Sequence, residues 1–156
     1  MIVVVMGVTG SGKTTIGELL AARLGYRFLD ADEFHPPENV AKMAAGTPLT
    51  DADRWPWLEK LNRKLLESPD AVLACSALKE SYRSVVSRGL PGCRFVHLRG
   101  SIELIRARLQ ERRHRYMPAS LLESQFATLE PPADAIEIDI APPPERCIEA
   151  ILAGLR

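Results

Sequence analysis

Five apolar residues, Ile2-Val3-Val4-Val5-Met6, run without a break into Gly7-Val8-Thr9-Gly10-Ser11-Gly12-Lys13-Thr14. A helical pattern follows (Ile16, Leu19, Leu20, Leu24) and ends at Gly25. The first run is apolar on both parities, which suits a strand buried on both faces of a parallel sheet. The eight residues after it satisfy G-x-x-x-x-G-K-[ST] and lie between strand and helix, the context from which this motif takes its mechanism. Its glycines admit positive φ, so that successive N–H groups can turn inward around a phosphate. The helix that begins near Lys13 adds its positive end. Lys13 is placed to bridge β- and γ-phosphates, and the Thr14 hydroxyl suits Mg²⁺. A purely structural glycine turn is the weaker reading, because motif and context coincide.

Further strands are expected at Arg27–Asp30, Ala71–Cys75, Arg94–Leu98 and Ala135–Ile140. Helices are expected from Pro36-Pro37 through Met43, Asp51 to Glu67, Leu78 to Arg88, Ser101 to about Arg113, Leu121 to Leu129 and Glu145 to Leu155. Pro56 is expected in the first turn of its helix, where a missing N–H costs little. Strands that alternate with helices imply βαβ units, and hence an α/β fold with a five-stranded parallel sheet between helical layers. At 156 residues the chain reads as one domain.

Composition narrows the function classes. Twenty basic residues balance twenty acidic ones, which argues against a chain-wide electrostatic grip on nucleic acid or an anionic membrane. Three cysteines without C-x-x-C spacing fit reduced thiols in a cytoplasmic protein. No stretch approaches the ~18 apolar residues of a membrane span.

The charged residues are locally sorted. No N-K-x-D run is present to read guanine, and the third strand ends in Ser76 rather than an acid. Acids instead follow the second strand in Asp30-Ala31-Asp32-Glu33. That suits a small-molecule kinase, with one carboxylate near a metal and one facing an acceptor hydroxyl. Arg106, Arg108, Arg112, Arg113 and Arg115 supply the cations that a transferring phosphoryl group needs. Arg108 and Arg112 share a helix face and are read as a lid over the triphosphate. A nucleic-acid-binding ATPase could use the same stripe, but the stripe is short and has few aromatics beside it. Between Asp32 and Trp57, His35, Asn39, Lys42, Asp51, Asp53 and Arg54 suit a small polyhydroxylated anion, since carboxylates accept from hydroxyls while Arg and Lys pair with a carboxylate.

Leu29-Asp30-Ala31-Asp32, Gly46-Thr47-Pro48-Leu49, Asp53-Arg54-Trp55-Pro56-Trp57-Leu58, Cys75-Ser76-Ala77-Leu78-Lys79, Tyr82-Arg83 and Ser124-Gln125-Phe126 together resemble the bacterial thermoresistant-type gluconokinases, in order and spacing over nearly the whole chain. The resemblance implies a nucleoside-monophosphate-kinase-like fold with a mobile lid at about 108–125 and an acceptor-binding segment at about 32–60. It also implies transfer of the ATP γ-phosphate to the 6-hydroxyl of D-gluconate, with Mg²⁺, and often a homodimer. Shikimate is the alternative acceptor within the fold. Carried onto this sequence, Gly7, Val8, Thr9, Gly10, Ser11, Gly12, Lys13 and Thr14 bind the nucleotide. Asp32 orients the acceptor hydroxyl and Asp30 lies near the metal, two roles that could be exchanged. Arg54 and Arg83 are carboxylate partners, and His35, Lys42 and Lys79 line the pocket. Gln125 contacts substrate or closes the lid, and Arg108 and Arg112 are the lid cations. One departure stands out: His114-Arg115-Tyr116 occurs where the family commonly has Gly-His-Phe.

Overall fold

The computed structural model describes residues 1–111 and 119–156. Five strands, β1 (Ile2–Met6), β2 (Arg27–Asp30), β3 (Ala71–Ala74), β4 (Arg94–Arg99) and β5 (Ile136–Asp139), form one sheet in the order β2-β3-β1-β4-β5. Every pairing is parallel. The helices are α1 (Lys13–Leu24), α2 (Pro37–Ala44), α3 (Asp51–Leu66), α4 (Glu80–Val86), α5 (Ile102–Glu111), α6 (Ala119–Thr128) and α7 (Pro144–Leu155).

The apolar run on both parities takes the central position. Val3 and Val5 face one core layer, with Ile16 and Leu20 of α1 and Ile148 and Ile151 of α7. Ile2, Val4 and Met6 face the other, with Trp57, Leu58, Leu61 and Leu65 of α3 and Tyr82 and Val86 of α4. Because the strands are parallel, their C-terminal ends share one edge of the sheet. Ligands in such sheets bind outside that edge, where the strand order reverses. Here the chain fills the β2–β3 side of β1 first and the β4–β5 side afterwards, so the reversal falls at β1 and at the glycine loop that follows it.

There are three local differences from the sequence reading. Pro56 sits in the second turn of α3, not the first, because the helix starts at Asp51. The missing N–H therefore falls where it would have bonded the carbonyl of Ala52, an exposed residue that water can reach. The helix expected from Leu78 starts at Glu80, since Ala77 has φ 45° and Lys79 is extended. A short 3₁₀ turn, Ala31–Phe34, follows β2. Asp30 caps it by accepting from the Asp32 N–H at 3.0 Å.

Leu58 is fully buried in the α3 layer. Leu58→Ala is expected to lower unfolding free energy by about 2–5 kcal/mol through lost burial and a residual cavity, read as a shift in denaturation midpoint.

Candidate functional site

The glycine loop is built for close approach. Gly7, Gly10 and Gly12 have φ of 154°, 78° and 96°. A Cβ on Gly7 would lie 2.7 Å from Ser11 Oγ and 2.9 Å from the Leu98 carbonyl oxygen, so only glycine fits there. Gly12 is the N-cap of α1 and no side chain caps that helix, which leaves its first amides directed into the loop. Lys13 Nζ reaches back over the loop to donate to the Val8 carbonyl at 3.0 Å. Ser11 Oγ is buried and has no hydrogen-bond partner among the described residues. Inward amides, a lysine across the loop and a helix N-terminus together make a donor set that fits a polyphosphate.

The two acids after β2 are placed differently. Asp30 Oδ2 accepts from Thr14 Oγ1 at 3.5 Å, while its Oδ1 accepts from the Asp32 N–H. A threonine hydroxyl beside a carboxylate is a donor set that Mg²⁺ takes, with phosphate and water oxygens completing the shell. Among the described residues no cluster of three or more His, Cys, Asp or Glu forms a dedicated metal cage. Asp32 is exposed on the 3₁₀ turn.

A second network fastens α2, α3 and the β3–α4 segment together. Thr50 and Asp53 cap α3 reciprocally, and Lys42 of α2 donates to both oxygens of Asp53 at 2.9 and 2.8 Å. Those Lys42 bonds, with that from the Thr50 N–H, pull the Asp53 pKa down to about 2. Buried Asn39 donates to the Asp53 carbonyl at 3.0 Å and approaches His35 Nδ1 at 3.2 Å. With Asn39 as donor, Nδ1 is the acceptor and the neutral ring carries its proton on Nε2. Burial lowers the His35 pKa, against a raising effect from Asp32 and a smaller lowering one from Arg54. The ring stacks on Trp57 at 4.0 Å, and Trp57 Nε1 donates to the Ala31 carbonyl at 2.8 Å. The tryptophan thereby anchors the turn that carries Asp32.

Arg54 and Lys79 converge on Tyr82. The Arg54 guanidinium lies 5.3 Å from the ring centroid and the Lys79 ammonium 5.6 Å. Arg54 Nη1 donates to the Leu49 carbonyl at 2.6 Å, and Lys79 pairs with Asp51 at 3.4 Å. The Tyr82 hydroxyl donates to Asp51 Oδ1. Burial first, then this bond, push the Tyr82 pKa up to about 12. The same bond, ahead of the pull of Lys79, lowers that of Asp51. Arg83 differs from Arg54: its guanidinium is buried and its Nη atoms donate to the carbonyls of Ala77, Leu78 and Glu130. Gln125 Oε1 accepts from the Thr9 N–H of the glycine loop at 2.7 Å, tying α6 to that loop.

A cleft of about 570 Å³ opens beside the loop, lined by Ser11, Gly12, Thr15, Arg108 and the Pro142–Pro144 run. Arg108, read from the sequence as a lid cation, forms part of this wall, with Nη2 on the Ile140 carbonyl at 2.6 Å. The wall is poor in donors. The Ile140 N–H is spent on the Arg99 carbonyl and the Ala141 N–H on Asp139 Oδ1, and the three prolines have none. Arg112, Arg113, His114, Arg115 and Tyr116 lie outside the described residues.

Sequence reasoning placed Asp51 in the acceptor segment but did not single out Tyr82, Glu130 or the 140–144 wall as site residues. The signal for Tyr82 was its place in the Tyr82-Arg83 pair; the others gave none before the strands were aligned.

Comparison with known proteins agrees with this geometry. The shikimate kinase family profile matches residues 9–128. The gluconokinase of Gluconobacter oxydans (strain 621H) is 51% identical over 135 residues, covering 84% of this chain and 76% of that protein. The thermosensitive gluconokinase of Escherichia coli (strain K12) is 44% identical over 162 residues, covering 96% of this chain and 87% of that one. A crystal structure of a gluconokinase from Sinorhizobium meliloti 1021 superposes with a TM-score of 0.92 at 44% identity, covering 98% of this chain and 90% of that chain.

Two outcomes follow from the site's geometry. Gly7→Ala is expected to abolish nucleotide binding by titration calorimetry, because the added methyl group meets main chain at 2.9 Å. In Lys42→Met, the Asp53 carboxyl titration followed by NMR is expected to move up from about 2 towards the ordinary carboxylate range. An unchanged midpoint would show that Lys42 is not the cause.

Proposed function

The chain belongs to the gluconokinases, within the wider shikimate kinase family of P-loop kinases, and from that premise we propose that it transfers the γ-phosphate of ATP to the 6-hydroxyl of D-gluconate. The observation that carries the proposal is the hydrogen bond of Thr14 to Asp30 beside the glycine loop, with the exposed Asp32 two residues further on. Nucleotide and acceptor machinery thus meet at one edge of the sheet.

In this reading the loop Gly7–Thr14 cradles the β- and γ-phosphates, and Lys13 swings from the Val8 carbonyl onto them. Thr14 and Asp30 would hold Mg²⁺, which when bound offsets charge on the phosphoryl oxygens. Asp32 accepts the proton of the 6-hydroxyl as that oxygen attacks the γ-phosphorus, and ADP leaves in line. Arg54 and Lys79 offer positive charge to the gluconate carboxylate, and His35 offers an Nε2 proton to a hydroxyl. Lys42 acts from its ion pair with Asp53, holding α2 against α3. The nucleoside lies in the 570 Å³ cleft with Arg108, where carbonyl oxygens suit the exocyclic amine of adenine. Gln125 links α6 to the loop. The family resemblance supports a homodimer and a cytoplasmic setting. No helix among the described residues is long and apolar enough to cross a membrane.

ADP release measured with gluconate, shikimate, AMP and short oligonucleotides tests the substrate class. Gluconate alone is expected to support turnover, and its failure to do so overturns the proposal. Lys13→Ala is expected to lower kcat by on the order of a hundredfold or more. Asp32→Asn is expected to lower kcat by about 10²–10⁴-fold with little change in nucleotide affinity. A loss confined to nucleotide affinity would instead put Asp32 with the metal and Asp30 with the acceptor.

A further inference from the structure

Ala77 has φ 45°, and among the described residues it is the one non-glycine in the left-handed region. It is also buried, at 1% exposed. An alanine pays a steric cost there that glycine would not, and such a conformation persists only where its surroundings enforce it. The enforcing group is Arg83. Arg83 is 7% exposed, and its Nη1 is the more buried end of the guanidinium. Nη1 donates to the Ala77 carbonyl at 2.8 Å and to the Leu78 carbonyl at 3.2 Å, and Nη2 donates to the Glu130 carbonyl at 2.8 Å. Among the described residues, its hydrogen-bond partners are all main-chain carbonyls.

Main-chain bonds close the same knot. The Glu130 N–H donates to the Leu78 carbonyl at 2.8 Å, and Glu130 Oε1 accepts from the Glu80 N–H at 2.8 Å. Upstream, the Gly7 N–H donates to the Ser76 carbonyl at 3.3 Å. The turn that Arg83 holds is therefore anchored to the glycine loop on one side and to the end of α6 on the other. Burial lowers the Arg83 pKa against a raising effect from the Glu130 and Glu80 carboxylates, while its direct contacts are the three carbonyls. The planar fork is what allows one side chain to serve carbonyls lying in two directions.

We propose that Arg83 is a positioning residue: it locks the left-handed turn at Ala77, and through that turn it aims Ser76 and Lys79 at the acceptor, without touching the acceptor's carboxylate itself. The proposal rests on the gluconokinase reading and assigns the direct charge contact to Arg54 and Lys79.

The experiment compares wild type, Arg83→Lys, Ala77→Gly and the double variant, with ATP and either D-gluconate or D-gluconamide as acceptor. Gluconamide keeps the 6-hydroxyl and the polyol chain but has no carboxylate. Wild-type turnover of gluconate tests the reading beneath the proposal, and the ratios between variants test the proposal itself. Arg83→Lys keeps the charge and loses the fork. It is expected to reduce kcat/KM for the acceptor by about tenfold to a hundredfold, as a small misplacement of positioning groups does. The reduction should be the same factor for gluconate and gluconamide, with KM for ATP little changed. Adding Ala77→Gly should restore most of the loss, because glycine enters the left-handed region without the steric cost that alanine needs a clamp to offset. A merely stabilising role would raise the unfolding midpoint of the double variant without this recovery of kcat/KM. A loss seen with gluconate but not with gluconamide would make Arg83 a direct carboxylate ligand and overturn the proposal. Failure of the glycine to restore acceptor kinetics would also overturn it. If Arg83→Lys alone does not fold, the double variant carries the test: acceptor kcat/KM within about threefold of wild type supports the proposal, and a persistent deficit contradicts it.

Discussion

A strand can sit at the centre of a parallel sheet only if both of its faces are apolar, and β1 meets that condition at every residue from Ile2 to Met6. Burial of Val3 and Val5 against α1 and α7, and of Ile2, Val4 and Met6 against α3 and α4, fixes the strand from both sides. Each such side chain contributes about 1.5–3 kcal/mol when fully buried. That rigid strand delivers Gly7 to the point where the strand order reverses. Everything chemical in the molecule is arranged around the point so defined. The loop after β1, the acids after β2, the turn after β3 and the proline wall after β5 share one edge because the strands run the same way.

Charge is sorted around that edge although the chain is neutral overall. Lys13 and the amide end of α1 lie where phosphate would arrive. Asp30 and Thr14 lie beside them. At the start of α3, Asp51 and Asp53 pair with Lys79 and Lys42. These are exposed or half-exposed pairs of small energetic weight. Their value is geometric, since they tie α2, α3 and the segment after β3 into one unit. Buried polar contacts carry more weight: Trp57 on the Ala31 carbonyl, Asn39 on the Asp53 carbonyl and Arg83 on three carbonyls. Each pins main chain next to a functional side chain.

What the sequence made legible is what depends on neighbours in the chain. The glycine loop, the five strands and the capped helices follow from local periodicity and turn chemistry, and the observed sheet agrees with them. Pro56 is the sixth residue of a helix whose start at Asp51 is already expected, so its assignment to the first turn is a miscount of the register and not a failure of the capping signal. The helix expected from Leu78 begins two residues later, where Ala77 takes a left-handed turn whose carbonyl, with that of Leu78, accepts from Arg83. Arg83 itself gave no sign of burial, since arginine is seldom buried and its carbonyl partners carry no side-chain signature. The bond between Gln125 and Thr9 spans 116 residues of sequence, beyond any spacing argument. Arg108 was read from its helix face towards a lid, whereas its Nη2 finds the Ile140 carbonyl in the cleft wall.

The central claim is that this edge of the sheet joins a triphosphate to the far hydroxyl of a sugar acid. Carbon–phosphorus coupling in the NMR spectrum of the product formed from ¹³C-labelled gluconate tests it most directly. The account predicts a single phosphate ester, coupled to C6 and formed in step with ADP. An ester at another carbon, or ADP formed with no ester, would contradict it.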